Sequence, residues 1–304
     1  MSKNTTIPVI SKECITRLVR DVKYIMNNPL IENGIYYSHD DEDMLKGYAL
    51  IIGPSETPYF GGNYFFEFFY PTDYPHSPPK VIYHTNGQNI RFNPNLYTNG
   101  KVCVSTLNTW RGDQWTSCQT ISTTLLTLCT LLCKNPILNE PGVTKIHADY
   151  NTYNEIITYK NIDIAILHMV NKHEGVYPMK FDMFYPYVKE NFIKNALDML
   201  KFLEKQIMEQ AIIKQLSTHL YQMSNITIDY KTLYNKYKTA LLLHVDQIDN
   251  KELMDLLNMP DAVAAKEPAK KKRTAITPPL PDLETESVFI AANPIPVKVK
   301  GNVY

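Results

Sequence analysis

The sequence predicts an α/β chain of the α+β kind, with strands gathered early and helices late. Three observations carry this. Apolar residues recur at helical spacing over 10–28. Short aromatic and β-branched runs, broken by turn residues, fill 33–83. From Asp149 onward the strand signal disappears and helical spacing takes over.

The first helix is ISKECITRLVRDVKYIMNN, with Ile15, Leu18, Val19, Val22, Ile25 and Met26 as its expected inward stripe. Lys12, Arg17, Arg20 and Lys23 lie largely off that stripe, and Pro29 ends the helix. GIYYSH, MLKGYALII and NYFFEFFY read as strands of a meander, separated by the acidic turn Asp40 to Asp43, by Gly53-Pro54 and by Gly61-Gly62. Pro71, Pro75, Pro78 and Pro79 cannot sit inside a sheet, so they form a turn before a fourth strand, KVIYH. Residues 86–118 are dominated by polar and turn-forming types, and a long ordered loop in a small domain is often functional. A helix is expected from about Ser117 to Thr120, with Ile121, Leu125, Leu128, Leu131 and Leu132 inward and Asn135-Pro136 as its stop. Three further helices are expected over 149–172, 185–223 and 228–246, with a break from Gly175 to Tyr187. After Pro260 the chain is rich in Pro, Ala and charge and reads as disordered.

Lys+Arg and Asp+Glu are equal at 31 each, which argues against a nucleic-acid protein acting through whole-chain electrostatics. Gly is only 11 of 304 residues, which disfavours glycine-rich phosphate-loop folds. No apolar run reaches the ~18 residues that span a bilayer, so no membrane association is expected. The opening MSKNTTIPVI lacks a signal-peptide core, and a cytoplasmic chain is expected. The run Lys270, Lys271, Lys272, Arg273 can serve nuclear import or can be a solvated charge run. Cys14, Cys103, Cys118, Cys129 and Cys133 form no CxxC pair and have no accompanying His spacing, so neither a disulfide framework nor a metal site is expected. Cys129 and Cys133, one helical turn apart, have no further ligand nearby and read as packing residues.

The order of elements and motifs resembles the ubiquitin-conjugating enzymes. The likeness lies in GYALIIGPSETPYFGGNYFFEFFYPTDYPHSPPKV and NIRFNPNLYTNGKVCVSTLNTWRGDQWTSCQTISTTLLTLCTLLCKNP, and covers residues 10 to about 172. RFNPN, GKVC, LNTW with its inserted TWRGD, and LNEPG are similar to the large Z-type branch. The resemblance implies a ubiquitin-conjugating fold over 8–173 and a helical extension over 174–260, and composition adds a disordered tail over 261–304. In the Z-type branch a second, non-standard activating enzyme loads the protein with ubiquitin or a tandem ubiquitin-like modifier.

By the same resemblance Cys103 is the nucleophile that accepts the modifier's carboxyl group as a thioester and passes it to lysine. A thiolate is both a strong nucleophile and a good leaving group, which suits such a carrier. Asn95 stands at the family's asparagine and would donate to the oxyanion or hold the loop. Asn93 replaces the family's usual His in the triplet Asn93-Pro94-Asn95, and Trp115 closes the loop. The acids that small members place after the nucleophile and after the next helix correspond here to Ser105 and Leu138, so Asp113 and Glu140 are the candidate substitutes. Leu126 and Thr130 are expected on the outward face of the helix, as a donor-modifier contact. His76, Ser117 and Cys118 occupy the two ligase-contacting loops, where Thr116-Ser117-Cys118 replaces the family's Ser-Pro-Ala. The cationic helix residues Lys12, Arg17, Arg20 and Lys23 would meet the activating enzyme. No metal or small-molecule cofactor is expected. The rival reading is a non-catalytic modifier-binding scaffold of the same fold.

Overall fold

In the computed structural model the chain divides into two units, Met1–Met259 and Pro260–Tyr304. The structure describes residues 9–87, 90–210, 212–244 and 250–258, all in the first unit. The Lys270 to Arg273 run and the tail 261–304 lie outside the described residues.

Ser11 starts α1 (Lys12–Asn27) by accepting the Cys14 backbone N–H, a side-chain cap that satisfies one orphan donor. The helix is turned relative to the expected stripe. Cys14, Leu18 and Ile25 are buried, whereas Ile15, Val19 and Met26 are exposed. Arg17 and Asp21 are buried beside them as an ion pair at 2.8 Å. Tyr74 donates to the same Asp21 carboxylate at 2.7 Å. A buried charge persists only when paired and hydrogen-bonded, and this one is both.

The meander forms as expected: β1 (Ile35–His39), β2 (Lys46–Ile52), β3 (Asn63–Phe69) and β4 (Lys80–Tyr83) are antiparallel in sequential order. Asp40 shapes the first turn by accepting the backbone N–H groups of Glu42 and Asp43. β3 is buried along nearly its whole length, which requires cover on both faces. On one face Tyr64 meets Tyr59, Tyr83 and Phe92. α2 (Ile121–Leu131) has Ile121, Leu125 and Leu128 buried, with Leu131 half-buried at its end. Thr120 and Thr123 cap each other's backbone at its start.

The opposite face of the sheet is covered by the chain after the core. α3 (Tyr150–Lys160) runs on through a wider-turned segment, Asn161–His168. The chain then turns at Gly175 and forms a short 3-10 segment, Met179–Phe184. Phe181 is fully buried, 4.9 Å from Phe65 and 5.6 Å from Tyr48 between ring centroids. Lys180 pairs with Glu67 at 2.5 Å, and Asn191 donates to the Gly61 carbonyl at 2.8 Å. α4 (Tyr185–Lys194) brings Tyr187 onto Tyr36, with centroids 4.2 Å apart.

The expected helix over 185–223 is corrected by the structure. After α4 and α5 (Ala196–Glu209) come two short antiparallel strands, β5 (Lys214–Leu216) and β6 (Ile226–Ile228). β5 is Lys-Gln-Leu, with no β-branched residue, and although the Ile-Thr-Ile of β6 favours extended backbone, three paired residues per strand are too few to leave an alternating pattern. α6 (Tyr230–Leu242) and α7 (Lys251–Asn258) complete the described chain. Among the described residues no helix is long and apolar enough to cross a membrane.

Candidate active site

The loop that carries Cys103 is assembled from its triplet outward. Asn93 is fully buried. Its Nδ2 donates to the Tyr59 hydroxyl at 2.9 Å and to the Leu131 carbonyl at the end of α2 at 2.7 Å. Its Oδ1 accepts the backbone N–H of Asn95 at 2.9 Å. Tyr59 in turn donates to the Phe92 carbonyl at 2.6 Å. The triplet is thus tied to the sheet side and to the helix by one amide, which has the two donors and one acceptor the task needs.

Arg91 fixes the other side of the same triplet. Its Nε donates to the Asn93 carbonyl at 3.1 Å and its Nη2 to the Pro94 carbonyl at 2.6 Å. The guanidinium lies 3.4 Å from the Tyr97 ring centroid, a cation–π contact.

Asn95 and Cys103 are joined twice. The Cys103 N–H donates to the Asn95 carbonyl at 2.9 Å, and the Asn95 Nδ2 donates to the Cys103 carbonyl at 2.6 Å. Asn95 Oδ1 is buried and unpartnered. Gly100, with φ +87°, makes the turn that returns the chain to Cys103, and a Cβ there would meet the Tyr83 carbonyl at 3.0 Å. The Cys103 thiol donates to the Thr109 carbonyl at 3.0 Å. The Thr109 hydroxyl accepts from the Val104 N–H at 2.9 Å. The cysteine is 3 % exposed in this arrangement.

The inserted loop beyond it is ordered by two side chains. Asn108, in the left-handed region, accepts the Trp115 backbone N–H at 2.8 Å. The Trp115 indole donates to the Pro75 carbonyl at 2.7 Å. Asp113 is exposed on that loop. Ser105 lies in a 3-10 turn and Leu138 is half-buried in another, Pro136–Asn139. Glu140 accepts the Tyr221 hydroxyl at 2.6 Å. Burial raises the Tyr221 phenol well above its ordinary value, and the bond to Glu140 adds to this, so the phenol is the donor.

Leu126 and Thr130 are both exposed on α2. The Thr130 hydroxyl bonds to the Thr127 carbonyl at 2.7 Å. Ser117 and Cys118 are exposed, and His76 lies 3.0 Å from Glu13 of α1. Lys12, Arg20 and Lys23 are exposed. Arg17 is corrected: it is buried, and besides Asp21 its guanidinium donates to the carbonyls of Ser117, at 2.5 Å, and Gln119. It ties α1 to the loop before α2 and presents no charge to a partner. Of the cysteines, Cys14 is buried as well, and Cys129 and Cys133 are half-buried. Among the described residues no group of His, Cys, Asp or Glu could hold a metal ion.

Residues 17–162 match the family model of the ubiquitin-conjugating enzymes. This segment is a ubiquitin-conjugating enzyme domain. It resembles the Z-type branch. The chain is 42 % identical over 163 residues to ubiquitin-conjugating enzyme E2 Z of Xenopus tropicalis, covering 53 % of this chain and 51 % of that one. The Danio rerio protein of the same name is 43 % identical over 163 residues, covering 53 % and 49 %. The human one is 43 % identical over 161 residues, covering 52 % and 45 %. The chain spans about half the length of the curated relatives it matches.

Sequence reasoning missed Tyr59, Arg91 and Thr109, which hold the conjugating domain's loop in shape. Arg91 had a signal, since it directly precedes Phe92 and the triplet. Tyr221 had none, because it reaches the loop from a distant part of the chain.

Proposed function

We propose that this chain accepts ubiquitin or a ubiquitin-like modifier from an activating enzyme as a thioester on Cys103 and transfers it to lysine with the help of a ligase. The observation that supports this most is the double tie between Asn95 and Cys103 inside a conjugating domain. It sets an amide N–H donor beside the backbone of the residue whose sulfur would be acylated. In the resting thiol, the proton is given to the Thr109 carbonyl. A thiolate has no proton to give, so ionisation frees Sγ from that carbonyl and lets it turn toward an incoming thioester. Attack forms the new C–S bond, and the activating enzyme's thiolate leaves. The lysine amine then attacks, forming an amide and releasing the Cys103 sulfur as thiolate, while the amine's displaced proton passes to solvent.

Lys12, Arg20 and Lys23 are the proposed contact with the activating enzyme. Leu126 and Thr130 would rest against the donor modifier, limiting its orientations. His76, Ser117 and Cys118 would meet the ligase. The test is direct: incubate the protein with activating enzyme, ATP and modifier, and run a non-reducing gel. A thiol-sensitive adduct is expected. Its absence with ubiquitin and with ubiquitin-like modifiers alike would overturn the reading.

A further inference from the structure

We infer that Tyr221, at the tip of the β5–β6 hairpin, is a positioning residue for the Cys103 site, acting through Arg91. The inference rests on the transfer reaction proposed above and assigns to the extension a part in it.

The hairpin is held on the conjugating domain by Asp149, which is 4 % exposed. Its Oδ2 accepts the backbone N–H groups of His219 at 3.0 Å and Leu220 at 2.9 Å. The next residue, Tyr221, has φ +62°, and Gln222 follows at φ +50°. A bulky side chain in the left-handed region is strained, and such strain persists only where surrounding contacts over-determine it. Those contacts converge on the active-site loop. The Tyr221 ring lies 4.9 Å from the Arg91 guanidinium carbon and 5.8 Å from the Tyr153 ring. The Tyr153 hydroxyl donates to the Arg91 carbonyl at 2.7 Å. The Tyr221 hydroxyl holds Glu140 at 2.6 Å.

Arg91 is therefore flanked by two rings, Tyr97 and Tyr221, while its fork holds the carbonyls of Asn93 and Pro94. Asn93 holds the Asn95 N–H, and Asn95 holds the Cys103 carbonyl. A continuous chain of contacts runs from the extension to the nucleophile's backbone. A guanidinium free of one ring gains rotamers, and the two carbonyls it orients gain the same freedom. Errors of about 1 Å in a catalytic geometry cost up to ~10²-fold in rate, so a partial loosening of this kind should cost about 10-fold.

The test uses the full chain, ubiquitin as modifier and free lysine as acceptor. Tyr221→Leu should load Cys103 to the wild-type extent. Discharge of the preloaded thioester should slow about 10-fold at saturating lysine, with the half-saturating lysine concentration unchanged. Tyr221→Phe keeps the ring and should restore most of the rate. Tyr221→Asn, a residue that suits a positive φ, serves if the leucine variant does not fold. A readout free of activity is the Arg91 Nε–Hε resonance, readily assigned because Arg17, Arg20, Arg111 and Arg273 are the other arginines of the chain. It should move in the leucine and asparagine variants and stay near its place in the phenylalanine variant. Wild-type discharge in the leucine variant, equal losses in the leucine and phenylalanine variants, or an unmoved Arg91 resonance would overturn the inference. If wild-type protein takes up no ubiquitin, the proposed function is what fails, and the Arg91 resonance still decides the role of Tyr221.

Discussion

The side-chain amide of Asn95 donates to the backbone carbonyl of Cys103 at 2.6 Å, so the two residues of the proposed chemistry are also each other's structural support. Asn95→Ala should therefore have two effects. Discharge to lysine should fall ~10²–10³-fold as an oxyanion donor is lost. Stability should fall by about 1–3 kcal/mol as a part-buried carbonyl loses its partner. Loading, assisted by the activating enzyme, should be nearly intact. Single-turnover gels and thermal unfolding separate the two effects; equal losses in loading and discharge would leave only the structural one.

Cys103→Ser should form a slower, reductant-resistant oxyester, and Cys103→Ala no adduct. Cys118 is the exposed cysteine among the described residues, so it is the site to map if an adduct survives in Cys103→Ala. Such an adduct would move the nucleophile.

Preloaded protein should discharge readily to free cysteine and slowly to free lysine until a ligase is added. Neither Ser105 nor Leu138 offers a carboxylate, and an acid beside the amine acts as a general base worth ~10²–10⁴. The Glu140 carboxylate is engaged by Tyr221, whereas Asp113 is exposed and unengaged by any ion pair seen among the described residues. If lysine discharge is fast without a ligase, Asp113→Asn should abolish it and Glu140→Gln should not. Fast discharge unaffected by either substitution would remove both acids from consideration.

Ending the chain after Gly175 should give an aggregating protein rather than a free conjugating domain. That cut strips Phe181 from Phe65 and Tyr48, and removes Lys180 from the buried Glu67. In the full chain, Phe181→Ala should cost ~3–5 kcal/mol, read as a lowered denaturation midpoint. A soluble, cooperatively unfolding 1–175 fragment would show that the sheet tolerates an uncovered face.

Thermal stability should decline on acidification from about pH 7.5 to about 5.5. Burial holds His39, His84, His168 and His244 below the ordinary histidine value of 6.5, and for His84 the Lys180 cation adds to this. These rings hold a proton less readily in the fold than in the unfolded chain, so the unfolded chain takes up protons first. Their contribution is whole above the unfolded value and is lost as pH falls through it. His84→Gln should flatten the unfolding-temperature profile; an unchanged profile would show that His84 has no share in it.

The sequence by itself determined the meander, the proline turn, the Asn93-Pro94-Asn95 triplet ahead of Cys103, and α2 with its outward Leu126 and Thr130. These are local patterns: aromatic and β-branched runs, turn residues and helical spacing are written into neighbouring residues. The tertiary structure decided what depends on distant segments. Arg17 looks like a surface cation on its own helix, yet Asp21 and two carbonyls from the loop before α2 draw it inside. Ile15 and Val19 match the helical stripe, yet the buried side of α1 is taken by Cys14, Leu18 and Ile25. β5 and β6 are stabilised by each other and by Asp149, so neither strand shows in its own three residues. Tyr221 reaches Arg91 only because that hairpin docks beside the triplet. Burial and hydrogen-bond satisfaction are set by whatever arrives from elsewhere in the chain, and no periodicity within a segment records its visitor.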